Sequence, residues 1–186
     1  MKKERPEQQF LKECIADALL LLMKNKPWNS ITITEITNLA NVSRVTYYRN
    51  FKNKEDILIY KVSLLLDKWY KHEKEYNYNR KEDICISLFT YLVTLQDILD
   101  TIIQSGLEHI LLLSNYSIFE DFITLPISEQ YSRYYHAMGL SGFILAWIKR
   151  GMKESPEEMG NILIQTIFKE TRCILLQLRR EMGQRC

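Results

Sequence analysis

The stretch from Thr32 to Lys54, TITEITNLANVSRVTYYRNFKNK, constrains the chain more than any other part, because three helix starts are encoded within it. Thr32 followed by Glu35 is an S/T-x-x-E capping box, in which hydroxyl and carboxylate satisfy orphan backbone donors at a helix N-terminus. Ile33, Ile36 and Leu39 follow at helical spacing and predict its buried stripe. Asn41 breaks that pattern, and asparagine is, after glycine, among the residues that best tolerate a left-handed turn. Ser43 caps a second helix, and Asn53 caps a third that opens Lys54, Glu55, Asp56. The second helix carries Arg44, Thr46, Tyr47, Tyr48, Arg49 and Asn50, with Val45 as a small apolar group and Phe51 closing the segment. A helix built only to pack would not be so rich in hydrogen-bond donors.

The rest of the chain continues the helical pattern. Phe10, Leu11, Cys14, Ile15, Ala18, Leu19 and Leu22 recur at three- and four-residue intervals and predict the core-facing stripe of a first helix, ended by Asn25 and Pro27. Trp28 and Ile31 are expected to pack beneath the capped segment. The helix after Asn53 carries Ile57, Leu58, Val62, Leu65 and Trp69, and the polar run from Lys71 to Asp83 then loses the apolar period. Helices are expected at about 82–97, 98–113 and 128–153, with irregular chain around Leu113 to Pro126. Ser155, Pro156, Glu157 and Glu158 announce a last helix carrying Met159, Ile162, Leu163, Thr166, Ile167, Ile174 and Leu178. With only 6 Gly and 4 Pro in 186 residues, the fold class is all-α. The predicted organisation is a three-helix head over 1–53, a connecting helix over 54–76 and a helical bundle over 77–186.

Charge divides along the same line. Residues 1–61 hold 11 Lys+Arg against 7 Asp+Glu, and residues 62–186 hold 14 against 16. A basic head on a slightly acidic body fits a module drawn to phosphate, attached to one that is not. Lys2, Lys3 and Arg5 precede the first helix either as a basic arm for phosphates or the minor groove, or as a solvated tail.

Other classes lack their signatures. No apolar run approaches the ~18 residues of a membrane span, and Lys12, Glu13 and Asp17 interrupt any signal-peptide core, so a cytoplasmic protein is expected. Cys14, Cys85, Cys173 and Cys186 show no metal-like spacing and read as reduced thiols, and no metal or cofactor is expected. Neither GxSxG, a phosphate-cradling glycine loop, HExxH nor a paired-cysteine motif occurs, which argues against an enzyme.

The segment NVSRVTYYRNFKNKEDIL resembles the signature of the tetracycline-repressor (TetR) family, a recognition helix ending in Phe followed by a lysine-containing cap. The likeness is close over about the first 65 residues. Within the family, EQYSRYYHAMGLSGFILAWIKRGMKESPEEMG looks most like the subgroup that includes the activator of the dihydroxyacetone kinase operon. Asn50 stands where the family often has His or Tyr, and Asn41 where it usually has Gly.

The resemblance implies a helix-turn-helix that binds double-stranded DNA. Arg44 and Val45 fall where the family reads base edges, with Thr34 a third candidate. A guanidinium suits guanine O6 and N7, and Val45 a thymine methyl. Thr46, Tyr48, Asn50 and Lys54 fall at phosphate positions, while Thr32 and Ser43 cap helices whose N-termini face the backbone. Tyr47 is either a base or sugar contact or a partly buried ring.

For the body, the resemblance implies a homodimer through the last two helices, where Gly139, Gly142 and Ala146 would admit a close helix. It also implies control by a small-molecule effector. Ten aromatic residues between Phe89 and Trp147, with His109 and His136, supply candidate pocket material without singling out a residue. The expected function is a ligand-responsive transcriptional regulator, a repressor by family default, reading a palindromic operator. The alternatives are an activator controlled by a partner protein and a helical interaction module that binds no DNA.

Overall fold

The computed structural model describes residues 5–75, 80–114 and 124–166, and all regular structure among them is helical. The head contains α1 (Pro6–Asn25), a 3-10 turn (Trp28–Ser30), α2 (Ile33–Leu39) and α3 (Arg44–Asn50). The 22-residue α4 (Lys54–Glu75) leads away from it. The body adds α5 (Lys81–Thr94), α6 (Gln96–Gln104), α7 (His109–Ser114), α8 (Ile127–Lys149) and α9, described over residues 156–166. No single helix among the described residues is long and apolar enough to cross a membrane.

The capping signals act as their chemistry demands. Glu35 N donates to Thr32 Oγ1 and Thr32 N to Glu35 Oε2, completing the capping box of α2. Asp56 N donates to Asn53 Oδ1 at 2.8 Å. Ser155 and Glu158 form a second reciprocal box at the start of α9.

Three helices stop by one device. After α2, α6 and α8 the chain enters the left-handed region at Asn41 (φ 53°), Gly106 (φ 72°) and Gly151 (φ 81°). The next amide in each case turns back to the helix: Val42 N to Thr37 O, Leu107 N to Ile102 O, and Met152 N to Trp147 O, at 3.0–3.1 Å. The stop at Gly106 corrects the expected continuous helix over 98–113, which is split into α6 and α7.

α4 joins head to body, packing on α1, α5 and α7. Lys61 on α4, nearly buried, is satisfied by Asp17 of α1 at 2.6 Å. Ser63 Oγ donates to Ser114 O at the end of α7.

The apolar core is continuous from Ile15, Leu19, Ile36 and Ile57 in the head to Phe89, Ile102, Ile110 and Trp147 in the body. α1 buries Ala16, Leu20 and Met23 as well as the expected Ile15, Ala18 and Leu19, because α2, α4 and α6 all pack against it. Two stripe residues lie outside the core. Phe10 precedes the packed part of α1 and is 67% exposed, and Leu39 is 47% exposed on the last turn of α2, where Thr37 is buried instead. Trp28 and Ile31 pack beneath the head as expected. Cys14 and Cys85 are free and half-buried. Residues 115–123 of the expected irregular segment, with Tyr116, Phe119 and Phe122, lie outside the described residues, as do Lys2, Lys3, Ile167, Ile174, Leu178, Cys173 and Cys186.

Candidate nucleic-acid interface

The turn at Asn41 sets α3 across α2, with Ser43 as its cap. Thr46 N donates to Ser43 Oγ at 3.0 Å, and the two hydroxyls lie 2.9 Å apart. From this capped end Arg44, Val45 and Tyr48 point outward together, spaced i, i+1, i+4. Val45 is 66% and Tyr48 61% exposed, large values for apolar and aromatic side chains on a helix held by a core. Arg44 Nη2 donates to Thr34 Oγ1 of α2, so two of the three expected base readers meet across the turn.

Tyr47 is the anchor of α3. It is 0% exposed, with its ring edge-on to Tyr48 at 5.1 Å and tilted against Phe51 at 6.3 Å. Phe51 in turn meets Tyr60 of α4 at 5.7 Å. Burial, followed by the nearby Tyr48 and Asp56, pushes the Tyr47 phenol up from its ordinary pKa. Its hydroxyl has no hydrogen-bond partner among the described residues. Of the two readings of Tyr47, this position agrees with the buried ring, because on a two-turn helix the residue that anchors it cannot also lie on its outer face. The i, i+4 spacing of Tyr47 and Phe51 was the signal for this role.

Asn50 and Lys54 are also committed inside the protein. Gln8 Nε2 on the first turn of α1 donates to Asn50 Oδ1 at 3.1 Å, and Asn50 Nδ2 donates to Thr46 O at 2.8 Å. Gln8 thus ties α1 to the end of α3, a role that the apolar stripe of α1 gave no reason to expect. Lys54 Nζ donates to Trp28 O at 2.8 Å and Ile31 O at 2.9 Å and sits 4.4 Å above the Trp28 ring. Burial, and then the neighbouring Lys26, lowers the Lys54 pKa.

The start of α2 carries a second network. Lys26 Nζ lies 2.5 Å from Glu35 Oε1, while the backbone and hydroxyl of Thr32 donate to the other carboxylate oxygen. The Lys26 hydrogen bond, reinforced by those from Thr32, holds the Glu35 pKa at about 2 against an ordinary 4.5. A depressed carboxylate pKa stabilises the folded state above the unfolded value, and this contribution is lost as pH falls from 4.5 through about 2. Acid unfolding followed by far-UV circular dichroism is therefore expected to lose part of its slope in this window for Glu35→Gln. An unchanged profile would remove Glu35 from the acid-sensitive groups.

In the body, Phe89 and Trp147 are core, while Tyr131, Tyr134 and Tyr135 of α8 stand exposed. His109 Nε2 lies 3.5 Å from Glu55 Oε2, and His136 Nδ1 donates to Ser132 O at 2.6 Å. None of these five aromatic residues lines the groove between α4 and α5, where Tyr91 and Trp69 are found.

Comparison with known proteins bears on both halves. Residues 79–169 match a family model, TetR_C_8, described as the transcriptional regulator C-terminal region. A solved structure named dihydroxyacetone kinase operon activator DhaS superposes with a TM-score of 0.51 at 20% identity, over 86% of this chain and 95% of that one. This likeness shows a shared fold. No curated protein matches the chain. A TetR-type C-terminal region behind a doubly capped helix-turn-helix supports a transcriptional regulator of the TetR family.

Proposed function

We propose that the protein is a sequence-specific DNA-binding repressor that acts as a homodimer on a palindromic operator and is released by a small-molecule effector. It works by binding, with no catalytic step. The observation that carries this reading is the outer face of α3, where Arg44, Val45 and Tyr48 project from a helix fixed from behind by Tyr47 and Phe51. Such a face suits the major groove, where a bidentate arginine–guanine pair supplies ~1–3 kcal/mol of discrimination. Thr34, Thr46 and the capped N-termini at Thr32 and Ser43 are the proposed accessory contacts. The proposed division is a head over 1–53, a connecting helix over 54–76 and a body over 77–186.

Pairing through the last two helices is supported by the bare side of α8. A methyl group added at Gly139 or Gly142 would meet nothing within 4 Å, and Ile127, Tyr131 and Tyr135 lie exposed on the same helix. Two such faces would set the recognition helices on half-sites one or more helical turns apart. Activation with a partner protein is the second reading, favoured by the name of the DhaS structure.

Purified protein bound to genomic fragments across a salt series, with the bound fraction sequenced, tests the reading. A shared palindrome is expected, with affinity falling as salt rises because phosphate contacts release counterions. Arg44→Ala is expected to reduce preference for that palindrome about 5- to 150-fold while leaving the dimer intact. Weak, sequence-blind binding by the unaltered protein would instead support the non-DNA interaction module. A reporter gene under the palindrome gives the sign, with higher expression on deletion of the regulator expected for repression.

A further inference from the structure

We propose that Thr34 is a positioning residue for base recognition: its hydroxyl holds the Arg44 guanidinium in the conformation that reads the operator, so Thr34 sets specificity through Arg44. The inference rests on the reading of α3 as the recognition helix and adds how its arginine is aimed. Arg44 Nη2 donates to Thr34 Oγ1 from ten residues away, across the turn between α2 and α3. Arg44 is exposed and Thr34 half-buried, so the reader stands in solvent while its holder belongs to the packed surface of the head.

Thr34 is itself fixed. It stands in the first turn of α2, between the two members of the capping box, Thr32 and Glu35. Its carbonyl accepts from Thr37 Oγ1 at 3.1 Å, and Thr37 is 2% exposed. The carbonyl of Thr37 accepts in turn from Val42 N at 3.0 Å, the bond that closes the turn at Asn41. One buried threonine therefore ties the backbone of Thr34 to the chain that starts α3, and the distance between holder and reader is set by the fold.

An exposed arginine gains from such a holder. Its long side chain carries large rotamer freedom, which is lost when it docks on a base. Fixing it beforehand moves that cost from binding to folding. Arg44 occupies the first position of α3, at the positive end of the helix dipole, and the first turn holds no acidic residue. A carboxylate there would fix the arginine and also answer its charge, whereas the Thr34 hydroxyl fixes it and leaves the charge for DNA. Nη2 carries two N–H groups, one toward each edge of the planar fork, so the bond to Thr34 uses one edge and leaves the opposite one for guanine O6 and N7.

A holder leaves a different signature from a contact. A phosphate contact from Thr34 would weaken binding to every sequence alike, and a base contact of its own would add to that of Arg44. A holder acts only while Arg44 is present, so its loss and the loss of Arg44 are not additive. Thr34→Val keeps the branched shape and removes the acceptor. Thr34→Ser keeps the acceptor and removes a methyl group.

Selection from a library of randomised duplexes by the full-length protein tests the role, with bound sequences counted for the unaltered protein, Thr34→Val, Thr34→Ser, Arg44→Ala and the double variant carrying Thr34→Val and Arg44→Ala. The base pair whose preference Arg44→Ala removes is the one Arg44 reads. Thr34→Val is expected to lower preference at that base pair about 3- to 10-fold, the range for ordering one rotamer-rich side chain on binding, and to leave the other positions as they were. Thr34→Ser should retain most of the preference, and the double variant should lose no more than Arg44→Ala alone. Preference compares sequences bound by the same variant, so a change in the folded fraction cancels. An unchanged preference in Thr34→Val, a loss spread evenly over all sequences, or an equal loss with and without Arg44 overturns the positioning role while the reading of α3 stands. Failure of the unaltered protein to select any sequence overturns both.

Discussion

Replacing Trp147 with alanine is expected to lower the unfolding free energy by about 3–5 kcal/mol, the range for removing a buried tryptophan or phenylalanine. Trp147 is 1% exposed, meets Phe89 edge-on at 5.2 Å, and stands with Phe143 in a cluster where Phe89 and Phe143 are 5.9 Å apart. Its Nε1 also donates to Glu154 O at 3.1 Å, in the turn that delivers the Ser155 cap to α9. The substitution would remove the core's largest fully buried side chain and leave a carbonyl without its donor. With native proteins stable by only about 5–15 kcal/mol, the loss is about a fifth or more of the whole. Urea unfolding read by circular dichroism should show a lower midpoint at nearly constant slope. Tyr131→Ala, on the same helix but at a side chain 74% exposed, separates the two faces of α8. It is expected to leave the unfolding free energy of the monomer within about 0.5 kcal/mol and to weaken self-association. A Trp147→Ala loss below about 1 kcal/mol would mean that the cluster is not the body's anchor.

The same helix shows why some features were legible in the sequence and others were not. Capping is local chemistry: Thr32 with Glu35, Ser43, Asn53 and Ser155 with Glu158 each act within four residues, so the type and spacing of residues settled the helix starts. Asn41 is another local case, since its left-handed turn needs only a side chain that tolerates positive φ. Gly106 is equally local, and the Ser105–Gly106 pair is a stop signal that interrupts the apolar run around it.

Burial depends on which helices arrive from elsewhere in the chain. The apolar spacing of α1 did not show that three helices would surround its middle and leave Phe10 beyond them, nor that α8 would bury Trp147 and expose Tyr131. At the candidate interface, the face of α3 followed from its own spacing once Tyr47 was recognised as the partner of Phe51. The tie from Gln8 to Asn50 spans 42 residues and had no local signature.

Lys54→Gln should separate a phosphate contact from an internal latch. The family resemblance places Lys54 on phosphate, whereas its ammonium is held by the carbonyls of Trp28 and Ile31 and by the Trp28 ring. Those carbonyls belong to the turn that enters α2, so the side chain joins the start of α4 to the helix ahead of the recognition element. Hydrogen bonds from a charged donor are worth about 1.5–3 kcal/mol, and glutamine, shorter and neutral, cannot restore both. A loss of about 2 kcal/mol in stability is expected, discounted from the sum of the contacts because Lys54 is not fully buried. Operator affinity should fall with it as α2 loses its fixed angle to α4. The slope of log K against log salt should nevertheless stay as it was, because no neutralised phosphate is lost. A direct phosphate contact would instead reduce the slope by about 0.9 and leave thermal stability nearly untouched. Lys54→Arg sharpens the distinction: a guanidinium keeps the charge for a phosphate, but its planar fork does not reproduce a compact ammonium seated between two carbonyls and an indole. The latch therefore requires Lys54→Arg to lose stability while retaining the salt slope, and near-normal stability and affinity in that variant would return Lys54 to the phosphate backbone.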